Sequence, residues 1–348
     1  MTDPYAAAGV DTGQADRGVR ALVDVLRGIE LGRASRSVLA SGHYASVLEV
    51  APGLGIALST DGVGSKLILA EQTGRLDSVG IDCVAMNVND IICVGAEPIA
   101  MLDYLAVERA DPQALEQIAI GLRRGAELAG VEIPGGELAI LPELIRGHPS
   151  PHGFELSGTG IGTVALERIV TGERCAPGDA LIGLPSSGLH SNGYTLARRI
   201  LGQYERLDER PPELGGRSVA DALLEPTTIY VQAVMALLAS DIAVHGLAHI
   251  TGDGLTNLRR LNASVGFEVD APLAVPGICR YVCDQGSIEP AQAYQVFNMG
   301  IGFVAVVPAG QAGPASELLD EFHAGTRVIG RVTDRAAVVS LPGPDVTL

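Results

Sequence analysis

Two hydrophobic periods alternate along this chain, and the alternation starts twice. GIALS (Gly55 to Ser59) is a short apolar run suited to a buried strand. GIDCVAMNVNDIICVGAEP (Gly80 to Pro98) is long enough for a helix stopped by Gly95 and Pro98, and MLDYLAV (Met101 to Val107) is a second strand. The next helix is punctuated at both ends: Asp111 as N-cap, Pro112 at the first helical position, Leu115, Ile118, Leu122 and Ala126 along one face, and Gly130 as the stop. A loop rich in Pro, Gly and His (Leu141 to Gly153) leads into FELSGTGIGTVAL, whose alternation suits a core strand. Pro177-Gly178-Asp179 is a turn, and after it the pattern restarts with a strand over Ala180 to Leu184. SSGLHSNG, a helix from Tyr194, an amphipathic segment over Thr227 to Ala239, the turn HITGDG, a short helix over Leu255 to Leu261 and the strand-like FNMGIGFVAVV follow. Such alternation specifies an α/β chain. Its 348 residues exceed what one core usually holds, so two domains are expected, 1–168 and 169–348.

With 47% hydrophobic residues, 44 glycines and only 4% aromatics, the chain reads as well buried and rich in turns. A formal charge of −17 argues against a nucleic-acid partner, where affinity comes mainly from Lys and Arg neutralising phosphates. A small phosphorylated ligand remains compatible if a divalent cation supplies the positive charge. The cysteines (Cys83, Cys93, Cys175, Cys279, Cys283) are odd in number and form no CxxC pair; buried thiols are favoured over a metal pair at Cys279 and Cys283. No apolar run is long enough to span a bilayer, and MTDPYAAAGVDTG lacks both the basic start and the apolar core of a signal peptide. The cytoplasm is the expected compartment.

LSTDGVGSKLILA (Leu58 to Ala70) invites a nucleotide-loop reading but fits neither template. Ser65 precedes Lys66 and Leu67 follows it, which breaks a Walker A loop, and Leu67 also stands where a dinucleotide fingerprint needs its third glycine. What remains is Asp61 at the end of a buried strand, with Gly62 and Gly64 letting a ligand approach; a plain Asp-Gly turn is the alternative. Asp82, Met86 and Asp90 share a helical stripe, with Asn87 beside Asp90 and Asn89 next to it. Carboxylates in so apolar a run must be paired, protonated or on a cation, unless they and the Asn residues cap a neighbouring helix. Magnesium takes one or two protein carboxylates and completes its shell with water and phosphate oxygens, so Asp61 and Asp90 suit it. SSGLHSNGY (Ser186 to Tyr194) and HITGDGL (His249 to Leu255) are candidate anion cradles, with His190 in polar company and Asp253 as a cation ligand or helix cap.

These motifs, with AAAGVD, LLEPTTIYV, FNMGIG and the Gly-Gly before Glu137, stand in the order seen in the phosphoribosylformylglycinamidine cyclo-ligase (aminoimidazole ribonucleotide synthetase) family, which the chain resembles from about Tyr5 to Val332. The resemblance implies an α/β fold of the α+β sandwich type in two domains, and a homodimer whose N-terminal domains join their sheets. It implies ATP-driven closure of formylglycinamidine ribonucleotide to aminoimidazole ribonucleotide with Mg²⁺, through an iminophosphate, in purine synthesis. Carried over by position, Asp61 and Asp90 would hold Mg²⁺ and the ATP phosphates together with Gly62, Gly64, Asn89 and Lys66, and Lys66 and His190 would act in catalysis. Ser187, His190, Asn192, Thr251, Asp253 and Asn298 would face the substrate. This chain departs from the family in three places: its N-terminal arm keeps only Gly42 of a glycine-rich loop, Leu138 and Ile140 replace Thr and Glu, and Asp253 replaces Gly. The alternatives are a small-metabolite kinase of the same superfamily and a non-catalytic ligand-binding relative.

Overall fold

The computed structural model describes residues 12–202 and 206–348, so the AAAGVD segment lies outside the described residues. Two α/β domains each surround one sheet. After the helix α1 (Thr12–Leu26), the first sheet is built from β1 (Ser46–Ala51), β2 (Leu54–Gly62), β3 (Glu97–Val107), β4 (Glu132–Ile140) and β5 (Phe154–Ala165) in the order β1-β2-β5-β3-β4. Only the β3–β4 pair is parallel, because α4 (Pro112–Ala129) supplies the crossover between them.

Between β2 and β3 lie α2 (Lys66–Thr73) and α3 (Asp77–Cys93), and α3 is the central buried element. Its Val79, Val84, Val88, Ile91 and Ile92 are all 0% exposed, as are Asp82, Asn87 and Asn89. The helix starts earlier and stops earlier than its sequence suggests: Gly95 (φ 76°) turns the chain, and Glu97 and Pro98 open β3. Helices α3 and α4 meet backbone to backbone, since a Cβ at Gly80 would overlap Leu122 and one at Gly121 would overlap the Asp77 carbonyl. Asp111 caps α4 by accepting from the Gln113 (3.0 Å) and Ala114 N–H groups, and Gly130 closes it at φ 70°.

The helices cover one face of this sheet. The other presents exposed apolar side chains, among them Ile99, Leu102 and Tyr104, whereas Leu138 and Ile140 of β4 pair with Leu105 and Val107 on the helix side.

The second domain contains β6 (Ala180–Pro185), α5 (Tyr194–Ile200), α6 (Val219–Leu223), α7 (Val231–Ala239), β7 (Gly246–His249), β8 (Gly266–Glu268), α8 (Gly277–Gly286), α9 (Pro290–Val296), β9 (Ile301–Val307), α10 (Ala312–Asp320), β10 (Arg327–Thr333), β11 (Val339–Leu341) and β12 (Val346–Thr347). Its strands run β12-β11-β8-β10-β6-β9-β7, with β6, β7 and β9 buried along nearly their whole length. Gly254–Arg260 is a 3₁₀ helix. Phe297 to Gly300 form a tight turn, with Met299 and Gly300 at positive φ, and only then does β9 begin. Helix α7 starts at Val231, which leaves Thr227 to Tyr230 as an irregular segment lying along α3. No helix among the described residues is long and apolar enough to cross a membrane.

Candidate active site

The last residues of β2 deliver Asp61 to the seam between the domains. Asn87 on α3 holds its backbone: Oδ1 accepts from the Asp61 N–H at 3.0 Å, and Nδ2 donates to the Asp61 carbonyl at 3.2 Å and to Cys83 at 2.9 Å. The Asp61 side chain stays exposed and accepts from the Gly62 N–H at 2.8 Å. Surrounding protein pushes its pKa up, the Gly62 bond opposes this, and the nearby Asp90 charge adds to the rise. Gly64 (φ 72°) faces open space.

Asp90 reaches the same region from α3 and meets His249 at the end of β7, Oδ1 to Nδ1 at 2.9 Å. His249 is fully buried, and its Nε2 has no hydrogen-bond partner.

His190 sits in the loop after β6 at φ 62°, and only 1% of it is exposed. Its Nε2 accepts from the Ser187 N–H at 3.2 Å, which leaves the proton on Nδ1, a buried atom with no partner. Burial, then the charges of His249 and Lys66, push its pKa well below the usual histidine range, so the ring is neutral at neutral pH. Tyr230 and Gly302 bound the ring: a Cβ on Gly302 would overlap the Tyr230 hydroxyl and come 2.7 Å from His190 Cε1. Ser187 Oγ donates to the Pro226 carbonyl at 2.6 Å. Asn192 faces Gly252, whose added Cβ would lie 3.1 Å from Asn192 Oδ1, so SSGLHSNG and HITGDG abut. Thr251 donates to Asn257 Oδ1 at 3.3 Å. Asp253 is turned to the surface, 3.2 Å from Arg260.

Three expectations are corrected by the partners these side chains keep. Lys66 does not face the open side of the glycine loop: it is 0% exposed, and its ammonium donates to Asp82 Oδ1 (2.9 Å) and to the carbonyls of His190 (3.1 Å) and Glu225 (2.7 Å). All three N–H donors are used, which leaves none for a phosphate. Asn89 is likewise engaged, donating to the Thr228 carbonyl at 2.9 Å and accepting from the Tyr230 N–H at 3.0 Å. Asn298 organises its own surroundings: Oδ1 accepts from Ser186 Oγ (2.8 Å) and the Gly300 N–H (2.9 Å), and Nδ2 donates to the Gly188 carbonyl (2.8 Å).

Sequence reasoning missed His249 as the partner of Asp90 and Asn87 as the residue that fixes Asp61. A histidine closing the apolar run GLAHI was the available signal for the first; for the second, no local pattern distinguishes Asn87 from Asn89.

The AIR synthase related protein N-terminal domain matches residues 42–164, and the corresponding C-terminal domain matches residues 176–341. The chain belongs to the AIR synthase related family. Among the relatives of this family member, the phosphoribosylformylglycinamidine cyclo-ligase of Methanothermobacter thermautotrophicus is 46% identical, covering 97% of this chain and 96% of its own. That of Thermococcus kodakarensis is 43% identical, with 96% of each chain covered. Thiamine monophosphate kinase from Aquifex aeolicus shares the fold at a TM-score of 0.62 and 18% identity, covering 94% of this chain and 97% of its own. The hydrogenase maturation protein HypE in complex with ATP does so at 0.60 and 20%, covering 85% and 84%.

Proposed function

We propose that this protein closes formylglycinamidine ribonucleotide to 5-aminoimidazole ribonucleotide with ATP, releasing ADP and phosphate, as the relatives' names indicate. The observation that carries this reading is the meeting of two carboxylates, Asp61 and Asp90, with the His190 loop at one domain seam, in a chain over 40% identical to those relatives along nearly its whole length. Residues 1–168 would form the nucleotide and dimerisation domain, and 169–348 would complete the substrate site.

Asp61 and Asp90 fit a magnesium ion: the Asp90 charge raises the cost of charge on Asp61, and Asp61 opens to solvent beside two glycines. Among the described residues no group of three or more His, Cys, Asp or Glu could hold a metal, so an ion here would take its remaining ligands from water and phosphate oxygens. When bound, Mg²⁺ neutralises charge on the phosphates during transfer. His249 orients Asp90, and Asn87 holds the Asp61 backbone. Gly62 and Gly64 keep the approach to the phosphates clear. Ser187, Asn192 and Thr251 line the loops that would face the substrate, with Asp253 at their outer edge. The γ-phosphoryl group passes to the formamide oxygen, the amidine nitrogen attacks the activated carbon, and the oxygen departs with phosphate. His190 is the group placed to take the nitrogen's proton, at Nε2 once the Ser187 N–H yields that lone pair.

The exposed apolar face of the first sheet supports a homodimer joined through it. Incubation with ATP, Mg²⁺ and formylglycinamidine ribonucleotide should yield aminoimidazole ribonucleotide and ADP in equal amounts. ADP release with thiamine monophosphate instead, or no aminoimidazole product, rejects the reading.

A further inference from the structure

The glycine loop and the His190 loop belong to different domains, yet one buried ion pair ties them together. Lys66 and Asp82 are both 0% exposed, and Lys66 Nζ lies 2.7 Å from Asp82 Oδ2 and 2.9 Å from Oδ1. The directional bond is to Oδ1; the contact with Oδ2 is purely ionic. The other two ammonium protons cross the seam to the carbonyls of His190 and Glu225. Asp82 Oδ1 also crosses it, accepting from the N–H and the hydroxyl of Thr227, each at 2.7 Å. Thr227 Oγ1, its proton given to Asp82, in turn accepts from Ser191 Oγ at 2.9 Å, next to His190. The pair therefore grips both the loop that carries His190 and the segment against which Ser187 rests.

An ammonium and a carboxylate this deeply buried are a costly way to join two surfaces, and apolar side chains could pack the same space. What apolar packing could not provide is a fixed direction for the His190 carbonyl. That residue holds a left-handed backbone, φ 62°, which a non-glycine side chain keeps only where its surroundings over-determine it. Lys66 holds its carbonyl, and the Ser187 N–H holds its ring.

We infer that the Lys66–Asp82 pair is a positioning device: it sets the His190 backbone, and through it the imidazole, relative to the glycine loop that ends two residues before Lys66. This rests on the proposed role of His190. It makes Lys66 a residue that acts through His190 and never touches the phosphates.

The neutral pair Lys66→Met/Asp82→Asn tests it, because Asn keeps an oxygen for Thr227 and no unpaired charge is buried. The variant should fold, with KM for both substrates within about threefold of wild type and kcat about 10- to 100-fold lower, the scale of loss a small misplacement causes. Combined with His190→Ala, the pair change should lower kcat by less than about twofold further, since both act on one group. Amide hydrogen exchange over 187–193 should accelerate while β9 stays protected. A kcat within about twofold of wild type, a loss that multiplies with that of His190→Ala, or unchanged exchange over 187–193 would overturn the inference. Should the neutral pair not fold, Lys66→Leu/Asp82→Asn, which also buries no unpaired charge, carries the same measurements and the same overturning results. A wild-type enzyme that makes no aminoimidazole ribonucleotide rejects the proposed function, whereas the exchange measurement needs no substrate and still decides the clamp.

Discussion

Asp61 shows how a side chain proposed to hold a cation can work against the fold that carries it. Its pKa is raised in the folded protein, first because the surrounding protein displaces part of its water although the side chain still reaches solvent. The stability it contributes is therefore fully present below its unfolded pKa of about 3.9 and is lost as the pH rises through the folded value. At neutral pH and without ligand, Asp61→Asn should melt at a higher temperature than wild type, with the gap closing toward acid pH in thermal scans. The same variant should lose at least about 100-fold in kcat, as expected when charge stabilisation at the reacting phosphate is removed. Gly302 is the complementary case. A methyl group there would displace the Tyr230 hydroxyl and the His190 ring, so Gly302→Ala should lower kcat more than KM, measured by steady-state kinetics. The glycine of FNMGIG that looks like a strand residue thus makes room for the imidazole.

At the scale of elements, the α3–α4 crossing decides where the carboxylates stand. Gly80 and Gly121 let the two backbones touch, which sets α3 against the sheet so that Asn87 reaches the end of β2 and Asp90 reaches β7. Gly121→Ala must push the helices apart and should cost about 1–3 kcal/mol in urea unfolding. Asp111→Ala removes a cap far from the site; it should cost about 1 kcal/mol and leave kcat unchanged. The pair of variants separates helix stability from helix placement.

For the whole molecule, the open question is what covers the outer face of the first sheet. Leu102 and Tyr104 project from β3 at 43% and 42% exposure, beside Gly135 and Glu137 of the edge strand β4. If the proposed dimer forms through this face, Leu102→Arg should convert it to a monomer in sedimentation equilibrium while each subunit stays folded, because the side chain lies outside the core of its own chain.

What the sequence determined by itself was local in its physics. Asp111-Pro112 and Gly130 bound a helix by capping and backbone preference, and the glycine-flanked apolar runs became strands. The position of Asp61 at a strand end was legible because the apolar run GIALS and the glycines after it bound the strand. Tertiary structure alone decided the partners. Lys66, Asn89 and Asn298 stand in motifs that invite a ligand, yet each is bonded to groups distant in sequence: Lys66 to residue 225, Asn89 to residue 230, Asn298 to residue 188. A buried polar side chain must find its hydrogen bonds wherever packing brings donors and acceptors together, and no local pattern records which they will be.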